Sequence, residues 1–219
     1  MKSYLKYVVE LIVIVVGITL SFMVDEWREE RKNRDKEIKA MKEILSGLKS
    51  DLIEIDNGYE KASLSLNSAE IILDCINDQC IFTDSIGKHI SNMSFFLYSL
   101  PNNAPYENLK NEGLTIISND SLRNKIIYYY EIEQKAWSSI VNLRADIWIN
   151  MMDLEQENFS KLNWGDISQP VDAKSIMTDS RFHYYTNQCF MYRRADVSQY
   201  SKLRNVVKLL YRSVEDELQ

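Results

Sequence analysis

Residues 4–27 read YLKYVVELIVIVVGITLSFMVDEW, and this stretch decides what kind of protein the chain encodes. From Leu11 to Val24 it carries no formal charge, and twelve of residues 8–24 are Val, Ile, Leu or Phe. As a helix, residues 4–27 would run about 36 Å, enough to tilt across a hydrocarbon core of roughly 30 Å. Tyr4 and Trp27 would sit at the two interfaces. No small-x-small cleavage site follows, and Asp25-Glu26-Trp27-Arg28 continues the helical pattern, so a retained anchor is expected rather than a cleaved leader.

The polar residues of this segment are not scattered. At about 100° per residue, Ser3, Lys6, Glu10, Gly17, Ser21, Asp25 and Arg28 fall close to one line along the helix, with Ile14 as their apolar member. Thr19 lies opposite. A lone helix in lipid gains nothing by gathering polar groups on one stripe, whereas an oligomer can turn the stripe toward partner helices or water. Lys6, Glu10, Ile14, Gly17, Ser21, Asp25 and Arg28 are therefore the candidate pore or helix-interface residues. A homo-oligomer of three or more copies is the expected state. Lys2 and Lys6 precede the segment, while Arg28, Arg31, Lys32, Arg34, Lys36 and Lys39 follow it. Counting Lys and Arg alone places the following domain in the cytoplasm, with one span in a bacterial inner membrane.

The rest of the chain predicts an all-α fold, an N-terminal transmembrane helix continuing into a helical bundle. Only 6 Gly and 3 Pro interrupt the 219 residues. Three units are expected: an anchor over residues 1–27, a linking helix over 28–56 and a helical soluble domain over 57–219. Ile38, Met41, Leu45, Leu48, Leu52 and Ile55 recur at spacings of three and four, in a coiled-coil-like register, and Asn57-Gly58 reads as the stop. A second helix over 59–76 would turn Leu66, Ala69, Leu73 and Ile76 inward. Thr83-Asp84 caps a third over 85–99, ended by Leu100-Pro101. A short helix closes at Gly113, and Asn119-Asp120 opens a long one reaching about residue 159. Residues 161–180 read as loop, and an amphipathic helix spans about 197–218.

The order of these segments resembles a family of bacterial single-span membrane proteins of unassigned activity. Tyr4-Leu5-Lys6-Tyr7, Glu10, Val15-Val16-Gly17-Ile18, Trp27, Glu29 and Arg31 follow its opening block. Tyr106, Leu109-Lys110, Gly113 and Leu122-Arg123-Asn124-Lys125-Ile126 follow a second. The resemblance covers roughly the first 130 residues and implies an architecture, not a reaction. Small membrane proteins of bacterial antiphage systems share the plan of short anchor plus sensor, an analogy of layout only.

Composition and motifs exclude several classes. A net charge of -6 is wrong for a general nucleic-acid coat. No phosphate-binding Gly loop, nucleophile elbow or metal-ligand spacing occurs, so no enzyme, cofactor or metal is expected. His89 and His183 read as ordinary surface or half-buried residues. Glu131 with Glu133, and Glu155 with Glu157, point about 200° apart on a helix and read as solvated faces. Cys75, Cys80 and Cys189 read as buried thiols, although the first two could pair in an oxidising compartment. One patch is locally basic: Arg193, Arg194, Lys202, Arg204, Lys208 and Arg212, with Tyr192, Tyr200 and Tyr211 among them. It is the candidate site for an anionic ligand such as a nucleotide or oligonucleotide. The competing reading is a face paired with acidic residues or lipid headgroups. Two functions follow as expectations: a membrane effector forming a gated pore or membrane-perturbing bundle, or a non-conducting tethered scaffold that recruits a protein partner.

Overall fold

The computed structural model describes residues 2–94, 102–162 and 165–219, with side chains throughout these except at 2–9, 141–143 and 145–147. The described residues are almost entirely helical, as the all-α expectation requires. Helix α1 (Lys2–Asn77) is a single 76-residue rod, about 114 Å long at 1.5 Å per residue. Short helices α2 (Asp84–Met93), α3 (Ala104–Glu112) and α4 (Asp120–Tyr128) follow. A π turn (Tyr129–Glu133) leads into α5 (Gln134–Asn158). A minimal antiparallel pair, β1 (Phe159–Lys161) and β2 (Gln169–Pro170), and helix α6 (Ala173–Thr178) precede the long α7 (Ser180–Glu217).

The helix stop expected at Asn57-Gly58 does not exist, and the 56/57 boundary falls inside α1. Gly58 is there for space. A Cβ at Gly58 would lie 2.5 Å from a Tyr200 ring carbon, so only glycine lets α7 lie this close. Helix α7 runs antiparallel along the second half of α1. Asp56 meets Arg204 at 2.7 Å, Gly58 meets Tyr200, and Ser65 accepts from Arg193 at 3.1 Å.

Two cores form along this pair. The first joins Met41, Ile44, Leu48, Ile55 and Ala62 of α1 to Tyr106, Leu109, Ile126, Tyr129, Trp137, Tyr200, Leu203, Val207 and Val214. The second gathers Ala69, Ile72 and Cys75 with Ile86, Ile90, Met93, Met151, Leu154, Phe159, Ile176 and Phe182. In this second half of α1 the inward line is Ala62, Ser65, Ala69, Ile72 and Cys75. Leu66, Leu73 and Ile76 lie only half-buried. Hydrophobic spacing picked the wrong neighbours here because two serines occupy the buried face. Ser65 is fully buried and donates to the Met93 carbonyl at 3.0 Å.

The predicted caps are present. Thr83 accepts from the Ile86 amide, Asn119 accepts from the Leu122 amide at 3.1 Å, and Gly113 takes φ 103° after α3. Helix α2 ends at Met93, and the expected end at Leu100-Pro101 lies outside the described residues. Helix α7 begins seventeen residues before the expected 197, capped by Asp179, whose carboxylate accepts the Arg181 amide at 2.7 Å. Residues 161–180 are not all loop, since they hold β2 and α6. Cys75 and Cys80 are joined in a disulfide, correcting the buried-thiol reading, and Cys189 is free.

Toward the N-terminus α1 leaves the body. Every described side chain from Glu10 to Lys36 is exposed. Glu37 is the first buried residue, its carboxylate accepting the Ser118 amide and hydroxyl at 2.7 Å each and Arg34 at 2.7 Å. Burial opposes its charge, but these donors together hold its pKa below the usual range. Among the described residues no helix is long and apolar enough to cross a membrane. The charge-free run, residues 11–24, covers about 21 Å, and Val8 and Val9, which stand beyond Glu10, lie outside the described side chains.

Gly58→Ala should destabilise the protein by about 1–3 kcal/mol through overpacking against Tyr200. Denaturant unfolding of the full chain in detergent, with a lowered midpoint and unchanged slope, is the check.

Candidate functional site

Residues 10–36 are the part of the protein that its own fold leaves uncovered. The large apolar side chains from Leu11 to Val24 are 47–70% exposed, with Val24 lowest and Phe22 highest. In water such a sleeve of Val, Ile, Leu and Phe would be costly, at roughly 25 cal/mol per Å² of apolar surface. Its polar members satisfy themselves locally. Ser21 donates to the Gly17 carbonyl at 3.0 Å and Thr19 to that of Val15 at 2.8 Å, so neither hydroxyl needs water.

Glu10, Ile14, Gly17, Ser21, Asp25 and Arg28 all lie exposed on this segment. Lys6 lies outside the described side chains. Val13, Ile14, Gly17, Ser21 and Asp25 line a shallow open groove of about 370 Å³. A Cβ at Gly17 would meet nothing within 4 Å. Unlike Gly58, Gly17 answers no packing demand inside the chain. Beyond the apolar sleeve, residues 25–36 carry five acidic and five basic side chains, and Arg31 stacks over Trp27 at 5.5 Å. These twelve residues form a charged stalk of about 18 Å between the sleeve and Glu37.

The basic patch is largely spoken for. Arg204 pairs with Asp56 at 2.7 Å, Lys202 with Glu133 at 3.0 Å, and Arg193 with Asp196 at 3.1 Å. Arg194, Lys208 and Arg212 are exposed on α7. Lys202 and Arg204 thus tie α7 to other segments, and Arg193 does so through its bond to Ser65 of α1.

Those ties expose a second error of the sequence reading. Glu133 and Glu155 are not solvated; both are buried, while Glu131 and Glu157 face outward to Lys135 and Arg181. Glu133 owes its place to the π turn, which carries Tyr129, Tyr130 and Glu133 inward together. Burial opposes its charge, yet Tyr128 and Lys202 hold its pKa below the usual range. Glu155 belongs to a polar cluster that sequence reasoning missed. Ser94 donates to its carboxylate, Trp148 donates to the Ser94 carbonyl at 3.4 Å, and Arg144 and Arg193 converge on buried Asp196. Ser94, Arg144, Trp148, Cys189, Tyr192 and Arg193 border a small cavity of about 50 Å³. Burial dominates at Glu155 and lifts its pKa from 4.5 to about 7, with the Ser94 hydroxyl opposing. Only the four-residue spacing Asp-x-x-x-Arg or its like could have flagged such groups, and no such pair links Glu155 to a cation.

A further buried carboxylate, Asp51, accepts from Tyr129 at 2.8 Å, the Asn102 amide at 3.0 Å and Gln134 at 3.3 Å. Burial raises its pKa against these three donors. Of the histidines, His89 contacts Ser68 at 3.2 Å, and His183 is exposed beside the Cys75–Cys80 disulfide. Among the described residues no group of His, Cys, Asp and Glu is arranged to hold a metal ion.

Compared with known protein families, characterised proteins and solved structures, the chain matches none. The geometry alone must therefore carry the functional reading.

Glu155 makes stability depend on pH. Its folded pKa is above its unfolded value, so between 4.5 and about 7 the folded state binds more protons than the unfolded. Stability should be fully present below that window and fall as pH rises through it, by on the order of 3 kcal/mol in all. Glu155→Gln should flatten this dependence and be the more stable form at pH 8, as measured by denaturant midpoints across pH 4–8.

Proposed function

We propose that this chain is a homo-oligomeric membrane effector whose N-terminal helices insert together and assemble around their polar stripe, with the helical body as the controlling part. The observation that carries the reading is the exposed sleeve from Leu11 to Val24, which no part of the described fold covers. Lipid or other copies of the same helix are the surroundings that suit it. In the sequence Val8 and Val9 lie on the far side of Glu10, and residues 4–27 taken together have the length of a tilted span.

Helix phase supports assembly around the stripe. At 100° per residue, buried Met41, Leu48 and Ile55 lie about 180–220° from Glu10 around α1. The body therefore sits on the side of α1 opposite the stripe. Several copies can bring their stripes to a common axis while their bodies stay at the periphery and do not collide. Gly17 then has a purpose, because the missing Cβ lets a neighbouring helix approach. Copies of Glu10 would ring the axis and favour cations, and Ile14 one turn deeper would close the path by dewetting.

The test has two stages. Purified full-length protein in mild detergent should have the mass of three or more copies, and a monomer at all concentrations would end the proposal. In liposomes, Glu10→Gln should insert normally but lower cation preference several-fold, and Ile14→Ser should raise leak several-fold. An oligomer with identical background flux for the wild type and both variants would remove the pore and leave the tethered scaffold in its place.

A further inference from the structure

We infer that the helical body lies on the oxidising, extracytoplasmic side of the membrane, and that the disulfide-lined cleft at its far tip faces that space. The inference rests on the membrane reading above, and its chemical evidence is independent of the anchor. Cys75 lies in the last turn of α1, and Cys80 follows a tight turn in which Gln79 takes φ 52°. The Cys80 amide donates to the Cys75 carbonyl at 2.9 Å, and the two Cα atoms stand 4.9 Å apart, inside the range a disulfide demands. The backbone itself therefore presents the two sulfurs to each other.

Exposure decides the compartment. Cys75 is buried, but Cys80 is half-exposed at the tip, within reach of small thiols. In a cytoplasm poised by glutathione and thioredoxin, an accessible pair of this kind is held as two thiols. The third cysteine is no competitor. Cys189 donates to the Met93 carbonyl at 3.4 Å in the second core, and burial pushes its thiol pKa up, which keeps it from acting as an exchanging thiolate. One bridged pair and one inert thiol make a stable redox arrangement on the outer face.

This assignment opposes the Lys and Arg count. That rule describes a bias during insertion, whereas a persistent accessible disulfide needs an oxidising surrounding. The placement also fixes where a partner would be met. Cys75 stands fifty-one residues beyond Val24, roughly 75 Å along the α1 axis. There the disulfide, Ile76, Phe82, Met177 and His183 line a cleft of about 830 Å³. Its contents would come from the outer compartment.

The experiment uses the full chain in its native membrane. Cells are acid-quenched, denatured in detergent and treated with a maleimide-polyethylene glycol, with or without prior reduction. One adduct, on Cys189, is expected without reductant and three with it. Cys80→Ser should give two adducts in both conditions, a readout that does not depend on folding. Protease added to spheroplasts should remove the body and leave a membrane-held fragment. Three adducts without reductant, or a body protected from external protease in a chain that stays with the membrane, would overturn the inference. Release by alkaline carbonate would sink the anchor instead, while the adduct count would still decide the compartment.

Discussion

The close approach of Tyr200 to Gly58 is the contact through which the two long helices become one body. Without a side chain at position 58, α7 comes close enough to α1 for Leu203, Val207, Leu210 and Val214 to reach Met41, Ile44 and Leu48 on one side of the crossing. On the other side the same approach lets Arg193 reach Ser65 and sets Phe182 among Ile72, Ile90 and Leu154. Trp137 packs against the Tyr200 ring with centroids 4.6 Å apart, so α5 is joined to the pair at the same point. Each core is built from segments that have no other reason to meet.

Charge is used inside this body in a way that its overall acidity conceals. Arg204 and Lys202 of α7 are matched to Asp56 and Glu133 of other segments, and Asp196 of α7 itself holds Arg193 and, from α5, Arg144. Two of these carboxylates are buried, and a cation opposite each keeps a group in place that would be costly alone. Among the described residues no ion pair joins Glu155 or Asp51 to a cation. Both rely on hydroxyl, amide or backbone donors, and burial raises the pKa of both. The interior thus contains two kinds of acid, those with a cation opposite and those held by neutral donors against burial.

The parts of this arrangement that could be read from the sequence are those set by local chemistry. Thr83, Asn119 and Gly113 mark helix ends because their side chains, or the lack of one, act on the backbone within a few residues. The uncovered apolar segment was legible for the same reason, since fourteen consecutive residues without charge need no partner to be noticed. What escaped were features set by a distant partner. Gly58 looks like a stop until Tyr200, 142 positions later, is seen to need the space. Ser65 looks exposed until Met93 and Arg193 take its hydroxyl. Glu155 looks solvated until Ser94 meets it, and Arg193, Lys202 and Arg204 look like a ligand patch until their acids arrive. Cys75 and Cys80 paired because of the turn between them, a geometry that spacing by itself does not specify.

An unbroken α1 also has a mechanical meaning. Because no loop intervenes between the tip of the body and the apolar sleeve, there is no joint in which a rotation could be lost. A twist imposed on the body about the α1 axis must appear as the same twist of the stripe, apart from the elastic give of the charged stalk. The angle between the two is a matter of counting. One residue added to or removed from positions 25–36 would turn the stripe by about 100° against the body, while a change of seven residues would nearly restore it. The number of residues in the stalk therefore sets the angle at which the sleeve stands to the body.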